Sequence, residues 1–96
     1  MSTDPVAFDP AAPYALAGSV SLRPEPFGAL VYDYATRRLS FLKTPQLVTV
    51  VRTLAEQPDA RSALTAAQVP PAEHDRYLHA LAGLCASGTI APRPTR

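Results

Sequence analysis

The chain predicts an α+β domain, a small antiparallel sheet followed by three helices, on the strength of three observations. Strand signals are densest between Val20 and Lys43, where apolar and polar positions alternate. After Thr44 the apolar spacing becomes helical and stays so to Ser87. With 96 residues there is room for one domain with a single modest core.

Taken in order, residues 1–15 read as a flexible arm, carrying Pro5, Pro10 and Pro13 among small and polar residues. Tyr14 and Leu16 are the first side chains expected to touch the body. Val20 and Leu22 alternate with Ser19, Ser21 and Arg23 as a first strand, which Pro24 and Pro26 are expected to stop. A second strand runs from Phe27 to Tyr34, with Gly28 at a bulge or a close approach of backbones. Asp33 to Arg37 form a hairpin connection to a third strand, Arg38–Lys43, with Leu39 and Phe41 on one face and Ser40 and Leu42 on the other.

Thr44 reads as the N-cap of the first helix, with Pro45 at its first position. Leu47, Val50, Val51 and Leu54 give that helix one apolar stripe for the sheet. Asp59 caps a shorter helix, Ala60 to Ala67. The third helix is expected from near Pro71 to Ser87, with Tyr77, Leu78, Leu81, Leu84 and Cys85 on a broad apolar face. Gly88 stands where a left-handed residue ends a helix. The folded domain is thus expected over residues 16–90, with 91–96 a flexible tail.

Composition removes several function classes. A net charge of +1 is a poor basis for binding phosphate backbones. One cysteine precludes an internal disulfide framework and suits a reducing compartment. The chain holds no apolar run of the ~20 residues a membrane span needs, and Met1-Ser2-Thr3-Asp4 lacks the basic start of a signal peptide. A cytoplasmic protein that engages neither membrane nor nucleic acid is expected.

Catalytic chemistry finds no foothold either. His74 and His79 are five residues apart on a helix, about 140° from sharing a face, and make a poor metal pair. Cys85 falls on the apolar side of its helix, where a thiol is buried and inert. The carboxylates are scattered into caps, first turns and the hairpin, and the four glycines form no phosphate cradle. No catalytic residue, metal site or cofactor is expected.

The remaining signal is an edge. Arg37, Arg38 and Lys43 gather around the last strand, with Arg23 on the first. Cations on an edge strand discourage unwanted pairing, and equally suit an acidic or extended partner. An extended peptide adding there would draw affinity from main-chain hydrogen bonds and specificity from pockets for alternate side chains. Tyr77, Leu81 and Leu84 could wall a groove beside it. Three apolar anchors at about 2 kcal/mol each, with ladder hydrogen bonds added and an ordering cost of about 2–5 kcal/mol removed, place such binding at micromolar or tighter.

Ser21 to Leu42, SLRPEPFGALVYDYATRRLSFL, followed by the Thr44-Pro45-Gln46-Leu47 helix start and the late Ala80–Gly88 segment ALAGLCASG, resembles the PqqD-like family of recognition elements for ribosomally made, modified peptides. Within it the likeness is to the small chaperones of the mycofactocin system. The RPE-x-FGALVY and RRLSFL runs are its specific parts, and it covers residues 16 to 90 in order. The resemblance implies a winged-helix-like fold without catalytic residues. It implies a precursor-peptide leader bound as an added strand on the third strand, at Arg38, Leu39, Ser40, Phe41, Leu42 and Lys43. It also implies a groove closed by the third helix, where the apolar face puts Tyr77, Leu81 and Leu84, with Arg76 at the rim. The implied second partner is a radical S-adenosylmethionine maturase, which in the mycofactocin system oxidatively decarboxylates the C-terminal tyrosine of a Val-Tyr pair.

Two other readings compete with it. A winged-helix DNA-binding protein has this size, but the third helix offers only Arg76 and His79 among Glu73 and Asp75. A structural subunit could instead pair its third strand with its own copy.

Overall fold

The computed structural model describes residues 8–93. The elements are β1 (Tyr14–Leu16), β2 (Val20–Glu25), β3 (Gly28–Asp33), β4 (Arg38–Leu42), α1 (Pro45–Thr53), α2 (Ala60–Ala66), α3 (His74–Ala86) and β5 (Ile90–Pro92). As the sequence predicts, a three-stranded antiparallel sheet, ordered β2-β3-β4, is followed by three helices. Residues 1–7 of the expected arm and 94–96 of the expected tail lie outside the described residues.

The sheet holds its register at two glycine- and turn-dependent points. A Cβ at Gly28 would run into the Leu42 carbonyl oxygen, so only glycine lets β3 begin this close to the end of β4. At the other end Arg37 takes φ 62° as the last residue of the hairpin loop, and its N–H donates to the Asp33 carbonyl at 2.7 Å. The Asp33 carboxylate stabilises the same turn, accepting from Ala35 N–H at 2.9 Å and from Ser19 Oγ at 2.8 Å.

Two expectations change in detail. β2 does not stop at Pro24 but runs through it to Glu25, with Pro24 opposite Ala29. Tyr34 N–H donates to Ser19 O, which makes Val20–Asp33 a non-hydrogen-bonded pair. By alternation, so is Pro24–Ala29, and the proline nitrogen points away from β3 on an edge strand, where its missing N–H breaks nothing. The third helix likewise begins later than expected: Pro71–Glu73 form a 3₁₀ turn, and α3 starts at His74.

A second ladder has no counterpart in the sequence reading. β1 and β5 pair antiparallel, Tyr14 opposite Pro92, Ala15 opposite Ala91 and Leu16 opposite Ile90. Ordered structure therefore extends from Tyr14 to Pro92, across the boundaries drawn at residues 15 and 91. Arg93 extends the clasp, its guanidinium donating to the Ala55 carbonyl at 3.0 Å and to the Gln57 carbonyl. Phe8 stacks on Tyr14 at 4.8 Å, and the Pro10 carbonyl accepts from Arg61 N–H at the start of α2.

The core fills the space between the sheet's inner face and the helices. Ala29, Val31 and Leu42 come from the sheet, Val50, Val51 and Leu54 from α1 and the turn after it, Ala63 and Leu64 from α2, and Leu78, Leu81 and Cys85 from α3. Tyr14 and Ile90 join it from the small ladder. Thr44 caps α1 by accepting from Leu47 N–H at 3.1 Å, which fixes the direction in which the chain leaves β4.

Candidate functional site

β4 hydrogen-bonds to β3 and has no strand on its other side among the described residues. Which of its backbone groups face that open side follows from two bonds. Tyr34 N–H points to β2, reaching Ser19 O, so Asp33, Val31 and Ala29 direct their backbone groups to β4. Their partners Ser40 and Leu42 are thereby tied into the ladder, and Leu39 and Phe41 are the residues whose N–H and C=O face outward.

The same alternation sorts the side chains. Leu42 is 1% exposed and points into the core beside Ala29. Leu39 and Phe41 lie on the opposite face of the sheet, across from Tyr32 and Leu30, and both are exposed.

Beside the open edge lies a cleft of about 490 Å³ lined by Val31, Asp33, Thr36, Arg38, Leu39, Ser40, Phe41, Leu84, Ser87 and Thr89. A second, mostly apolar recess of about 150 Å³ is lined by Thr44, Leu47, Arg76, Tyr77 and Ala80. The C-terminal end of α3 walls the first, and its N-terminal half walls the second. Tyr77, Ala80, Leu84 and Ser87 follow one another at helical spacing and form a single stripe linking the two recesses. α3 thus runs antiparallel to β4, and the recesses lie in line with the strand.

Of the residues expected at the site, Arg38, Leu39, Ser40, Phe41 and Leu84 share the larger cleft, while Arg76 and Tyr77 line the smaller recess. Lys43 is exposed just past the strand's end. Leu42 and Leu81 are placed differently: both are core, Leu81 with 0% of its surface exposed, so neither side chain is presented to a ligand. Leu81 falls on the side of α3 that packs inward with Leu78 and Cys85, a quarter-turn from the Tyr77–Leu84 stripe. Burial pushes the Cys85 thiol up from its ordinary pKa.

Val31, Asp33, Thr36, Ser87 and Thr89, with Thr44, Leu47 and Ala80, complete the two recesses. Apart from Val31 and Leu47 they are polar or small residues, brought together by pairing and helix packing, and no local sequence pattern marks them as a site.

The electrostatics are mild. Arg76 is held by Glu73 at 3.0 Å and lies 5.6 Å over the Tyr77 ring, which props it at the rim of the smaller recess. The Ser19 hydroxyl, with further hydrogen bonds from Ala35, Thr36 and the Thr36 side chain, holds the Asp33 carboxyl below the usual carboxylate range. Among the described residues there is no group of three or more His, Cys, Asp or Glu that could hold a metal ion, and no helix long and apolar enough to cross a membrane. What the arrangement can do is offer main-chain hydrogen bonds along a strand edge, with side-chain recesses at both ends.

A family model described as the peptide chaperone MftB family matches residues 13–91. Three curated relatives carry the name peptide chaperone MftB. The chain is 52% identical over 87 residues to that of Mycobacterium ulcerans, covering 91% of this chain and 80% of the relative. It is 49% identical over 92 residues to that of Mycobacterium tuberculosis, covering 96% and 84%. The Mycolicibacterium smegmatis protein is 51% identical over 87 residues, covering 91% and 85%. No solved structure matches the chain.

Proposed function

The chain belongs to the peptide chaperone MftB family, and from that premise we propose that it binds the leader of a ribosomally made precursor peptide as a fourth strand on β4 and delivers it to a radical S-adenosylmethionine maturase. The observation that carries the reading is the open edge of β4, with the outward backbone groups of Leu39 and Phe41 beside a cleft walled by α3. A peptide there exchanges N–H and C=O with those two residues. Its alternate side chains turn inward, toward Leu84 and Ser87 at one end and toward Leu47, Tyr77 and Ala80 at the other.

The contribution to the reaction is then one of position. Holding the leader while the other end of the peptide reaches the maturase raises its local concentration up to the millimolar range. The chaperone supplies no reacting group, so it changes the maturation rate and turns nothing over alone.

The test is a titration of labelled protein with the full-length precursor, followed by backbone amide shifts. Shifts gathered at Arg38–Lys43 and along Tyr77–Leu84, saturating near micromolar, are expected. A folded sample that shows no shifts, with or without the maturase present, contradicts the proposal.

A further inference from the structure

The face of the sheet turned away from the helices is not the polar surface that a solvated antiparallel sheet normally presents. The register puts Leu30 and Tyr32 of β3 on that face beside Phe41 and Leu39 of β4. Phe27 and Tyr34, just outside the two ends of β3, add two more rings, Phe27 at 6.0 Å from Phe41 and Tyr34 packed edge-on to Tyr32 at 4.9 Å. Phe27 is 47% exposed, Tyr34 63%, Leu39 59% and Phe41 53%. Among the described residues these are the large apolar side chains left in water, and they form one patch.

The charge around the patch is one-sided. Beside it stand Arg37 in the hairpin loop, Lys43 just past β4 and the Arg23–Glu25 pair, while Arg38 and Asp33 fall on the inner side with Ser40 and Val31. Arg23 and Glu25 offset each other as an ion pair at 3.4 Å, which leaves Arg37 and Lys43 as the excess charge. The helical part, residues 44–93, is balanced, with Arg52, Arg61, Arg76 and Arg93 against Glu56, Asp59, Glu73 and Asp75. An apolar patch with a cationic rim fits a surface that is apolar with an acidic rim.

Size narrows the occupant further. Taking roughly 200 Å² per large side chain, four of them about half exposed offer on the order of 400 Å². A stable interface takes about 800 Å² from each partner. The patch is therefore too small to hold two copies of this chain face to face, where its cations would also oppose each other. A strand added on β4 would continue the same face, because every second side chain of that strand would stand beside Leu39 and Phe41.

We propose that the outer face of the β2-β3-β4 sheet is the docking surface for a folded protein partner with an apolar, acid-rimmed patch, and that a peptide strand on β4 completes this surface. This rests on the delivery reading above, in which that partner is the maturase. Loading and docking are then coupled through one strand: the edge of β4 holds the peptide, its outer side chains hold the enzyme, and the enzyme binds the loaded chain better than the empty one.

The experiment uses the full chain, its precursor and the radical S-adenosylmethionine maturase, with peptide affinity and enzyme affinity measured separately. Phe27→Glu and Arg23→Glu alter the patch and its rim at residues outside β4, leaving the strand's outward backbone groups in place. Phe27→Glu is expected to leave peptide affinity within about twofold and weaken enzyme binding at least tenfold. Arg23→Glu is expected to weaken it several-fold at low salt and less at high salt. Adding precursor to the wild type should tighten enzyme binding several-fold.

Wild-type enzyme affinity in both variants overturns the proposal, as does equal affinity of enzyme for loaded and empty chain. A concentration-dependent dimer of the wild type that Phe27→Glu dissociates assigns the patch to self-association instead. Co-sedimentation with anionic phosphatidylglycerol vesicles that Phe27→Glu abolishes assigns it to a lipid surface. Loss of precursor binding by the wild type refutes the leader reading. Enzyme binding by the empty chain, weakened by Phe27→Glu, would still stand as the sign of a docking face.

Discussion

The molecule contains two antiparallel ladders, and they divide its work. The β2-β3-β4 ladder is local, joined by a tight turn and a short hairpin loop, and it leaves one edge and one apolar face in solvent. The β1–β5 ladder is three residues long, joins residues 14–16 to 90–92, and buries Tyr14 and Ile90 completely into the core. In the proposed function, the first is where a partner binds. The second closes the ends of the chain onto the helices.

The largest loss of stability is expected at Tyr14, in the smaller ladder. Tyr14→Ala removes a buried ring and the hydroxyl that accepts from Asp9 N–H at 2.9 Å, and should cost about 3–5 kcal/mol in denaturant unfolding. The fraction that stays folded should bind peptide as the wild type does. Gly28→Ala attacks the other ladder. Its methyl meets the Leu42 carbonyl oxygen, so about 3 kcal/mol should be lost, and here peptide affinity should fall with it because β4 itself is displaced.

Proline substitution separates edge from ladder within a single strand. Leu39→Pro removes an outward N–H, and should reduce peptide affinity about tenfold, or ~1.4 kcal/mol, with a smaller effect on stability. Ser40→Pro removes an N–H that bonds to β3 and should unfold the strand first. Equal loss of peptide affinity at matched stability in the two variants would contradict the derived edge.

Smaller effects test the supports. α2 and α3 end in the same way: Val69 N–H returns to Leu64 O and Thr89 N–H to Leu84 O, with Gln68 at φ 64° and Gly88 at φ 85° in the left-handed position. Gln68→Gly should therefore stabilise the domain by up to about 1 kcal/mol.

Asp33 titrates below its ordinary value of 3.8 in the folded chain, chiefly through Ser19. Its contribution is present above the unfolded pKa and is lost as pH falls through the folded one. Asp33→Asn should flatten the stability profile below about pH 4, the ordinary carboxylate range.

The local ladder was legible because its signals are local. Alternation over Phe27–Tyr34, the hairpin at Asp33–Arg37 and the Thr44-Pro45 cap each read correctly within a few residues of themselves. Pro24 misled because a proline on an edge strand looks the same as one that ends a strand until the register shows where its nitrogen points. The β1–β5 ladder could not be read at all. Three residues are too short to alternate, and the partner of Tyr14 lies at the far end of the chain.

At the candidate site, the edge strand and the Tyr77–Leu84 stripe followed from periodicity. The helical face was drawn too wide, however, and took in Leu81, while the run of strand positions took in Leu42, whose side chain is core. Period alone gives a side chain's direction, and what lies in that direction is decided by packing. The outer-face patch was visible in the sequence only as an ordinary strand pattern, since Leu39 and Phe41 look like core until Leu42 is seen to occupy that place.

The most direct test is amide hydrogen exchange at β4, residue by residue, in the free protein and with the precursor bound. In the free protein Ser40 and Leu42 should exchange slowly and Leu39 and Phe41 quickly, because only the first pair is tied to β3. On binding, Leu39 and Phe41 should become protected while Ser40 and Leu42 change little. Protection that leaves Leu39 and Phe41 fast while the peptide is bound would show that it sits elsewhere, and would contradict strand addition on β4.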